Sequence, residues 1–398
     1  MNGPAVTGPF GLSTALAERE QAGLLRNRIA TDGASGGRLR VTGREYLNFS
    51  ANDYLGLADH PAIKTAFNAG IERYGTGSGA SPLVTGYSRA HQQLEETLAE
   101  WLGVEAVLLF NCGFSANQAV LKALLGKEHL LWQDKLNHAS LQEMGSQLPC
   151  KMKRFAHNDM AALERQLEPN RGLIVSEGVF SMDGDQAPWG ELAALAARSG
   201  NWLMIDDAHG LGVQGPEGRG TLAAQGVPPA SVHIQMGTFG KALGVAGAFV
   251  GGSRELVEYL VNFARHYVYS THMPAAQACA VSKSIELVRA ADESRAHLGQ
   301  LIARFRQGAK DQGWQLGASN TPIQPLLVGE SSVALQLAER LRERGVWVSA
   351  IRPPTVPVGT ARLRITLSAA HREQDVDRLL DALGVCPAVT TLGEAHYG

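Results

Sequence analysis

The chain has 398 residues, which is enough for two domains and a large hydrophobic core. With 44% hydrophobic and 19% charged residues and a net charge of −2, it has a globular composition and lacks the basic excess that binds nucleic acids or anionic membranes. No apolar run is long enough to cross a bilayer, and no basic segment followed by an apolar core marks an export signal. We therefore expect a cytoplasmic protein whose cysteines are reduced thiols: Cys112, Cys150, Cys279 and Cys386.

The pattern divides the chain into an N-terminal arm (residues 1–55), a large domain (56–290) and a smaller C-terminal α+β domain (291–398). In the arm, leucines spaced among charged residues predict an amphipathic helix that carries Leu12, Leu16, Leu24 and Leu25. A glycine-rich break follows, and then a hairpin through Arg40, Val41 and Leu47.

From about residue 60, apolar runs alternate with helical segments, which predicts an α/β fold with a mostly parallel sheet covered on both faces. The predicted strands are Val107–Phe110, His129–Trp132, Met152–Phe155, Leu173–Ser176, Trp202–Ile205, Val232–Met236 and Ala246–Val250. Predicted helices include Ala62–Tyr74, His91–Leu102 and Ser115–Leu125. The turn at Gly113 and Phe114 precedes the last of these helices, and its N-terminal amides suit a phosphate.

The C-terminal part begins with one long predicted helix over residues 274–312. A second cycle of elements then forms the small domain. We predict strand Gln324–Val328, helix Ser331–Arg344, strand Val346–Ala350, strand Arg362–Leu367 and helix Arg372–Leu383.

Lys241 lies in a glycine-rich loop between two predicted strands. Most lysines are solvated surface residues, and the spacing here does not match a P-loop. However, small neighbours let a bulky group approach the backbone, and a partly desolvated lysine becomes a nucleophile towards carbonyl groups. The loop therefore favours a reactive lysine.

Other reactive side chains follow the carboxyl ends of the predicted strands, where ligands bind in open α/β sheets. Taken singly, His138 is a helix cap, Glu177 a turn acid, and Asp206 with His209 and His138 an alternative metal site. Taken together, a nucleophilic lysine, a carboxylate and a phosphate cradle match the requirements of pyridoxal phosphate (PLP).

Seven segments resemble the α-oxoamine synthase family of type I PLP-dependent enzymes. They are Tyr46–Gly56, Glu177–Asp185, Asp206–Gly210, Thr238–Lys241, Phe263–His266, Tyr269–Thr271 and Ile351–Pro357. The resemblance implies a type I PLP-dependent transferase-like fold and a homodimeric acyltransferase. The segments from Phe263 to Thr271 and from Ile351 to Pro357 resemble the branch that condenses L-alanine with a pimeloyl thioester, on coenzyme A or acyl carrier protein, in biotin biosynthesis. The loop Gly79–Gly86 departs from the family pattern at Ala80, Pro82 and Leu83.

The resemblance also implies roles for individual residues. Lys241 would bind the cofactor covalently and act as the base, Asp206 would pair with the pyridine nitrogen, and His138 would stack on the ring. Further cofactor contacts are implied for Gly113, Phe114, Glu177, Ser181, His209 and Thr238, and, towards the phosphate of the neighbouring subunit, for Ser270 and Thr271. The residues implied to contact substrates are Arg352, at the amino-acid carboxylate, and Arg26, Asn52, His138 and Thr355.

Three alternatives remain open at this point. The first is a sibling synthase that uses glycine, such as 2-amino-3-ketobutyrate ligase or 5-aminolevulinate synthase. The second is a metal-dependent hydrolase built on Asp206, His209 and His138. The third is a non-catalytic regulator, which the presence of Lys241 and the lack of a basic patch disfavour.

Overall fold

The computed structural model describes residues 10–33 and 36–385. Cys386 and the outer ends of the predicted arm and small domain lie outside the described residues. The helices are α1 Leu12–Gln21, α2 Pro61–Tyr74, α3 Arg89–Leu102, α4 Gly113–Leu124, α5 Ala139–Gln147, α6 Met160–Glu164, α7 Trp189–Ser199, α8 Thr221–Ala224, α9 Arg254–Phe263, α10 Arg265–Val268, α11 Ala275–Arg289, α12 Asp292–Asp311, α13 Ser331–Glu343 and α14 Glu373–Gly384. The strands are β1 Arg38–Val41, β2 Arg44–Asn48, β3 Ala106–Phe110, β4 Leu130–Asp134, β5 Lys151–Phe155, β6 Gly172–Glu177, β7 Trp202–Asp206, β8 Ile234–Thr238, β9 Ala248–Gly252, β10 Ile323–Gly329, β11 Val346–Trp347, β12 Ser349–Ile351 and β13 Ala361–Thr366.

The centre of the molecule is a seven-stranded sheet in the order β3-β9-β8-β7-β6-β4-β5. Strand β9 runs antiparallel to both of its neighbours, and the other strands of the sheet are parallel. Along β7, Leu203 and Ile205 pack into one hydrophobic cluster, while Met204 packs into another on the opposite face. Because both faces are buried, the strands read as continuous apolar runs. The prediction of a mostly parallel sheet is confirmed, and each predicted strand ends within two residues of the observed one.

Strands β6, β7 and β8 are adjacent, so the residues at their carboxyl ends lie side by side. Glu177 pairs with Asp206, and Asp206 pairs with Met236, two residues before Thr238. Helix α4 begins at Gly113, so Gly113 and Phe114, predicted as a turn before the helix, form its first turn, and the helix packs against β8 and β9. The sheet therefore brings several of the predicted residues to one edge.

The arm contains the predicted helix in a shorter form. Helix α1 ends at Gln21, and Gly23 has a φ of 66°, so Leu24 and Leu25 follow the helix rather than belonging to it. The side chains of Leu12 and Leu16 are exposed, and none of the residues in α1 is buried. The predicted hairpin is confirmed as the antiparallel pair β1 and β2.

Two predictions in the C-terminal part are wrong. Residues 274–312 form two helices, α11 and α12, with a break at Ala290 and Ala291, next to which Arg295 Nη1 donates to the carbonyl oxygen of Val288 at 2.7 Å. The predicted strand Val346–Ala350 is divided between two sheets: β11 pairs with β2 of the arm, and β12 pairs with β13. The other elements of the small domain lie within two residues of their predicted bounds.

The small domain packs α12, α13 and α14 around the antiparallel sheet β10-β13-β12. One hydrophobic cluster runs from Leu94 and Phe239 of the large domain to Leu363 and Leu379 of the small domain. The two predicted domains thus share a continuous core. Among the described residues, no helix combines the length and apolar character that a membrane span requires.

Candidate active site

A cavity of about 380 Å³ opens at the carboxyl edge of the central sheet, beside the first turn of α4. Nine of the predicted site residues line it: Asn52, Gly113, Phe114, His138, Glu177, Asp206, His209, Thr238 and Lys241. These residues come from six separate parts of the chain, and the sheet order brings them together as the strand pattern predicted.

Lys241 lies in the loop between β8 and β9, and its ammonium group faces an environment with little water. Burial lowers the pKa of Lys241 to about 8, although the charges of Asp206 and Glu177 act in the opposite direction. A larger fraction of the amine is therefore unprotonated at neutral pH than in a surface lysine. An unprotonated amine can attack the carbonyl carbon of an aldehyde.

Asp206 ends β7 and is buried, with 5% of its surface exposed. Its Oδ2 accepts a hydrogen bond from Asn117 Nδ2 at 2.7 Å, and its Oδ1 accepts one from the backbone N–H of Ala208 at 3.1 Å. A carboxylate has about four acceptor positions. Asp206 therefore keeps the capacity to accept a charged N–H from a ligand in the cavity.

His209 is held as a neutral imidazole. Its Nδ1 lies 2.6 Å from the hydroxyl of Tyr54, and burial together with the charges of Lys241 and Arg364 lowers the pKa of His209 well below its ordinary range. Burial raises the pKa of Tyr54 to about 12, so its hydroxyl stays protonated at neutral pH, and it also lies 3.3 Å from Asn52 Oδ1.

His138 caps the N-terminus of α5 from the wall of the cavity. Its Nδ1 lies 2.8 Å from the hydroxyl of Ser140 and accepts the backbone N–H of the same residue at 3.2 Å. Burial lowers the pKa of His138, and the charges of Asp206 and Lys241 act on it in opposite directions. The ring of Phe114 stands edge-on to the imidazole, with 6.3 Å between the centroids.

Three polar atoms at the cavity are buried and lack a hydrogen-bond partner. They are Oγ1 of Thr238, Oε1 of Glu177 and Oδ1 of Asn117. A Cβ on Gly113 would lie only 2.6 Å from Cγ2 of Thr238, so the absence of a side chain at residue 113 lets α4 begin next to this hydroxyl. Burial and the neighbouring charge of Asp206 raise the pKa of Glu177 well above its usual range.

These features fit PLP. Lys241 supplies an amine for the aldehyde carbon, and Asp206 supplies an acceptor for a protonated pyridine nitrogen. The N-terminal amides of α4 and the unpartnered hydroxyl of Thr238 supply donors for a phosphate.

A second cavity, of about 800 Å³, shares His138 with the first and extends away from the sheet. It is lined by three further predicted residues, Arg26, Ser181 and Thr355. Arg26 Nη2 donates to Thr355 Oγ1 at 2.9 Å, so the arm closes one side of this cavity. The structure therefore places these three residues together, but apart from Lys241.

Three predicted residues line neither cavity. Ser270 and Thr271 follow α10, where the carbonyl oxygen of Thr271 accepts a hydrogen bond at 2.8 Å from Asn111, a residue of the first cavity. The guanidinium of Arg352 donates to the carbonyl oxygen of Gly23 in the arm.

The sequence interpretation missed several polar residues at or beside this site, among them Asn117, Ser140, Tyr54 and Arg364. Arg364 is buried in β13, where its Nη1 donates to Asn52 Oδ1 at 3.1 Å and its Nε to the carbonyl oxygen of Ser181 at 2.7 Å. An arginine that alternates with apolar residues in a buried strand is a signal that could have identified it. Tyr54 lies within a segment used for the family resemblance, whereas nothing in the local pattern marks Asn117.

The alternative metal site has no counterpart within residues 10–33 and 36–385. No group of three or more histidine, cysteine, aspartate or glutamate side chains in this part of the chain is arranged to hold a metal ion.

Comparison with known proteins identifies relatives along the whole chain. The family model described as aminotransferase class I and II matches residues 44–383. The curated 8-amino-7-oxononanoate synthase of Aeromonas hydrophila subsp. hydrophila is 88% identical, with 100% of each chain covered. A high-resolution structure of SPT with a PLP internal aldimine superimposes with a TM-score of 0.88 at 26% identity, covering 94% of this chain and 96% of that one. A crystal structure of 8-amino-7-oxononanoate synthase from Francisella tularensis gives a TM-score of 0.76 at 27% identity, covering 85% and 97%.

Proposed function

The chain belongs to the class I and II aminotransferase family, and we propose that it catalyses the reaction for which its 88% identical relative is named, the synthesis of 8-amino-7-oxononanoate. It has the fold of type I PLP-dependent transferases, and its cofactor is PLP. The substrates are L-alanine and a pimeloyl thioester, which condense with loss of carbon dioxide in biotin biosynthesis. The observation that carries this proposal is the junction of the two cavities at His138, because it provides adjoining spaces for a cofactor with an amino acid and for an acyl donor.

When bound, PLP supplies an electron sink for the negative charge that develops at the amino-acid Cα. Lys241 would hold the aldehyde carbon, and Asp206 would keep the pyridine nitrogen protonated through a charge-assisted hydrogen bond. Thr238 and the first turn of α4 would hold the phosphate.

Lys241 also has the properties of the base that removes the Cα proton of alanine. A general base works best when its pKa lies near the working pH, and burial lowers the pKa of Lys241 to about 8. The amine returns this proton to the product at the end of the cycle.

The carboxylate of alanine requires a cation close to Lys241. The charge of Arg364 contributes to lowering the pKa of both Lys241 and His209, which supports a position close to the interior of the first cavity. Arg352, to which the resemblance gives this role, is instead directed to the arm. We therefore assign the carboxylate contact to Arg364 and keep Arg352 as the alternative.

Lysine variants distinguish these two arginines, because lysine retains the charge but not the two parallel donors. We expect Arg364→Lys to raise KM for alanine at least about tenfold, the loss of one good charged hydrogen bond, and Arg352→Lys to leave it unchanged. The opposite result would return the role to Arg352.

The second cavity would take the pimeloyl thioester. Arg26 and Thr355 meet across its wall, and three more basic side chains, Lys135, Arg154 and Arg362, line it. Basic groups suit the acidic end of a pimeloyl chain and the phosphates of either coenzyme A or a carrier-protein arm. Replacing Arg26 with Ala should raise KM for the acyl donor and leave KM for alanine unchanged.

We further propose that the enzyme acts as a cytoplasmic homodimer. Phe263 and Tyr269 have 60% and 70% of their surface exposed next to Ser270 and Thr271, which supports an apolar contact surface beside the site. The thiols of Cys112, Cys150 and Cys279 are free, as in a reducing compartment. Light scattering of the PLP-loaded protein gives its mass directly, and a monomer would contradict shared sites.

The reaction itself is tested by the mass of the product. Purified PLP-loaded protein receives a pimeloyl thioester, either of coenzyme A or of acyl carrier protein, with either L-alanine or glycine. We expect 8-amino-7-oxononanoate from alanine alone. A condensation product from glycine would assign the chain to a sibling synthase, and product formation only from a carrier-protein thioester would identify the donor.

A further inference from the structure

We propose that Asn117 and Ser140 are positioning residues that fix His138 as a neutral imidazole with its proton on Nε2, and that they do so by linking it to Asp206. Neither Asn117 nor Ser140 has a role in the reaction as described above. The inference rests on the proposed function only for what the Nε2 proton does; the protonation of His138 can be measured without any substrate.

Four side chains form one continuous line of hydrogen bonds below the cavity. Asn117 Nδ2 lies 2.7 Å from Asp206 Oδ2 and 2.9 Å from Ser140 Oγ, and Ser140 Oγ lies 2.8 Å from His138 Nδ1. Asn117 and Ser140 are buried, with 1% and 0% of their surface exposed, so water cannot replace either partner.

The chemistry of the end groups sets the direction of these bonds. An ionised Asp206 can only accept, so Asn117 must present its amide nitrogen to it. The second N–H of the same amide then donates to Ser140 Oγ, which leaves the single hydroxyl proton of Ser140 for His138 Nδ1. The backbone N–H of Ser140 also points to Nδ1, at 3.2 Å.

His138 Nδ1 therefore receives two donors and has no position for a proton of its own. A neutral imidazole then carries its proton on Nε2, the nitrogen that is left for a ligand. Because His138 borders both cavities, Nε2–H can donate to a carbonyl oxygen where the amino acid and the acyl donor meet. An imidazolium would place an N–H against two donors, so this line of bonds opposes protonation of His138 in addition to its burial.

The decisive measurement is the nitrogen NMR spectrum of the PLP-loaded protein labelled with ¹⁵N-histidine, without substrate, with the His138 signals identified by their loss in His138→Gln. We expect an unprotonated Nδ1 and a protonated Nε2 at pH 7. In Ser140→Ala, one donor to Nδ1 is lost, and the pH at which His138 becomes protonated should rise by about half a unit to one unit. Asn117→Ala should raise the pH at which His138 becomes protonated by a smaller amount.

Turnover gives a second and independent readout. We expect Ser140→Ala to lower kcat about tenfold, as for other residues that orient a reactive group, with KM for alanine unchanged. Ser140→Thr retains a hydroxyl and should restore both values. Ser146→Ala is the matched control, since Ser146 lies on the same helix and donates only to the carbonyl oxygen of Glu143.

Two results would overturn the proposal. One is a wild-type His138 with its proton on Nδ1, and the other is a Ser140→Ala protein whose His138 titration equals that of the wild type. If Ser140→Ala does not fold, Ser140→Cys preserves the size of the side chain and donates weakly, so it should show the same shift in reduced form. None of these outcomes depends on which thioester or amino acid the enzyme uses.

Discussion

Two groups of ionisable side chains at the same edge of the central sheet differ in the hydrogen-bond partners of their histidines. The first is the cavity with Lys241, where His209 has a tyrosine hydroxyl as its close partner. The second, which we call the His157 clamp, consists of His157, Asp134 and Asp185. In the clamp, His157 Nδ1 lies 3.0 Å from Asp134 Oδ1 and Nε2 lies 2.7 Å from Asp185 Oδ2.

The protonation of the two imidazoles differs accordingly. Burial alone would lower the pKa of His157, but its hydrogen bonds to Asp134 and Asp185 and their charges raise it to about 10. Burial and nearby cations lower the pKa of His209 well below its ordinary range. Removing one partner of a buried charged pair leaves the other uncompensated and destabilises the fold, whereas a cavity whose polar groups can still form hydrogen bonds is suited to a ligand.

The clamp lies next to the cavity without lining it. Asp134 also accepts the backbone N–H groups of Leu136 and Asn158, both at 2.8 Å. It thereby fixes the start of the segment that leads from β4 to His138. We therefore expect substitutions in the cavity to affect turnover far more than stability, and substitutions in the clamp to do the reverse.

The largest effect on turnover is expected for Lys241→Ala. Loss of the base and of the covalent attachment point should lower kcat by about 10⁴-fold or more. The free energy of unfolding should not fall, because the buried ammonium, whose pKa is lowered to about 8, costs stability below that pH. Turnover assays and urea unfolding of the apoprotein test both expectations. The control is Lys64→Ala, since Lys64 pairs only with the exposed Asp59.

Asp206→Asn should have the next largest effect on turnover. The amide keeps the shape of the carboxylate but cannot hold a proton on the pyridine nitrogen, so kcat should fall by about 10²- to 10³-fold. The absorbance of the bound cofactor should change its dependence on pH in the same variant. An unchanged spectrum with normal kcat would contradict the role of Asp206.

The clamp is tested by His157→Gln, which should lower the free energy of unfolding by about 3 kcal/mol at pH 7. Since the folded pKa of about 10 exceeds the ordinary value of 6.5, the stabilisation is complete below pH 6.5 and is lost as the pH rises through 10. Urea unfolding at several pH values should therefore show the two proteins converging in alkali. His129→Gln, at a more exposed histidine whose Nδ1 lies 3.4 Å from Glu128 Oε1, should change stability little at any pH.

Much of the cavity could be predicted from local sequence, because buried parallel strands are continuous apolar runs and ligands bind at their carboxyl ends. Lys241, Asp206 and Glu177 all lie where that rule placed them. The assignments of Ser270 and Thr271 to a neighbouring subunit stay predictions.

The parts that could not be predicted depend on contacts between distant residues. Asn117 is separated by 89 positions from Asp206, its hydrogen-bond partner, and no local periodicity reports that contact. The short strand β11 exists because it pairs with β2, almost 300 positions earlier, and the chain then leaves that sheet for β12. The helix break before α12 contains neither glycine nor proline; Arg295 of α12 bridges it, donating to the carbonyl oxygen of Val288 and, 83 positions earlier in the chain, to that of Gly212.

Asp207 tests the difference between the cavity and the His157 clamp at adjacent residues. It follows Asp206 in sequence, but its carboxylate, like those of the clamp, is hydrogen-bonded within the protein. Its carboxylate accepts the hydroxyl of Thr221 at 2.6 Å and the backbone N–H of the same residue at 2.7 Å. Side chains at the three nearest glycines would approach its oxygens to between 2.0 and 2.2 Å, so the absence of a Cβ there is required: Gly178, Gly210 and Gly220. Asp207 does not line the cavity, and we therefore expect it to behave as a structural acid.

Thr221→Val removes one of the two donors to Asp207 and should cost about 1–2 kcal/mol of stability at neutral pH, while Thr221→Ser should cost little. Burial raises the pKa of Asp207 to about 7, above its ordinary value of 3.8, so its ionisation lowers stability as the pH rises from 3.8 to 7. Without the hydroxyl, the pKa of this carboxyl should rise further, and the loss should continue above pH 7. Urea unfolding between pH 5 and pH 9 measures this difference. A large loss of kcat in Thr221→Val with unchanged stability would instead place Asp207 with the reactive group.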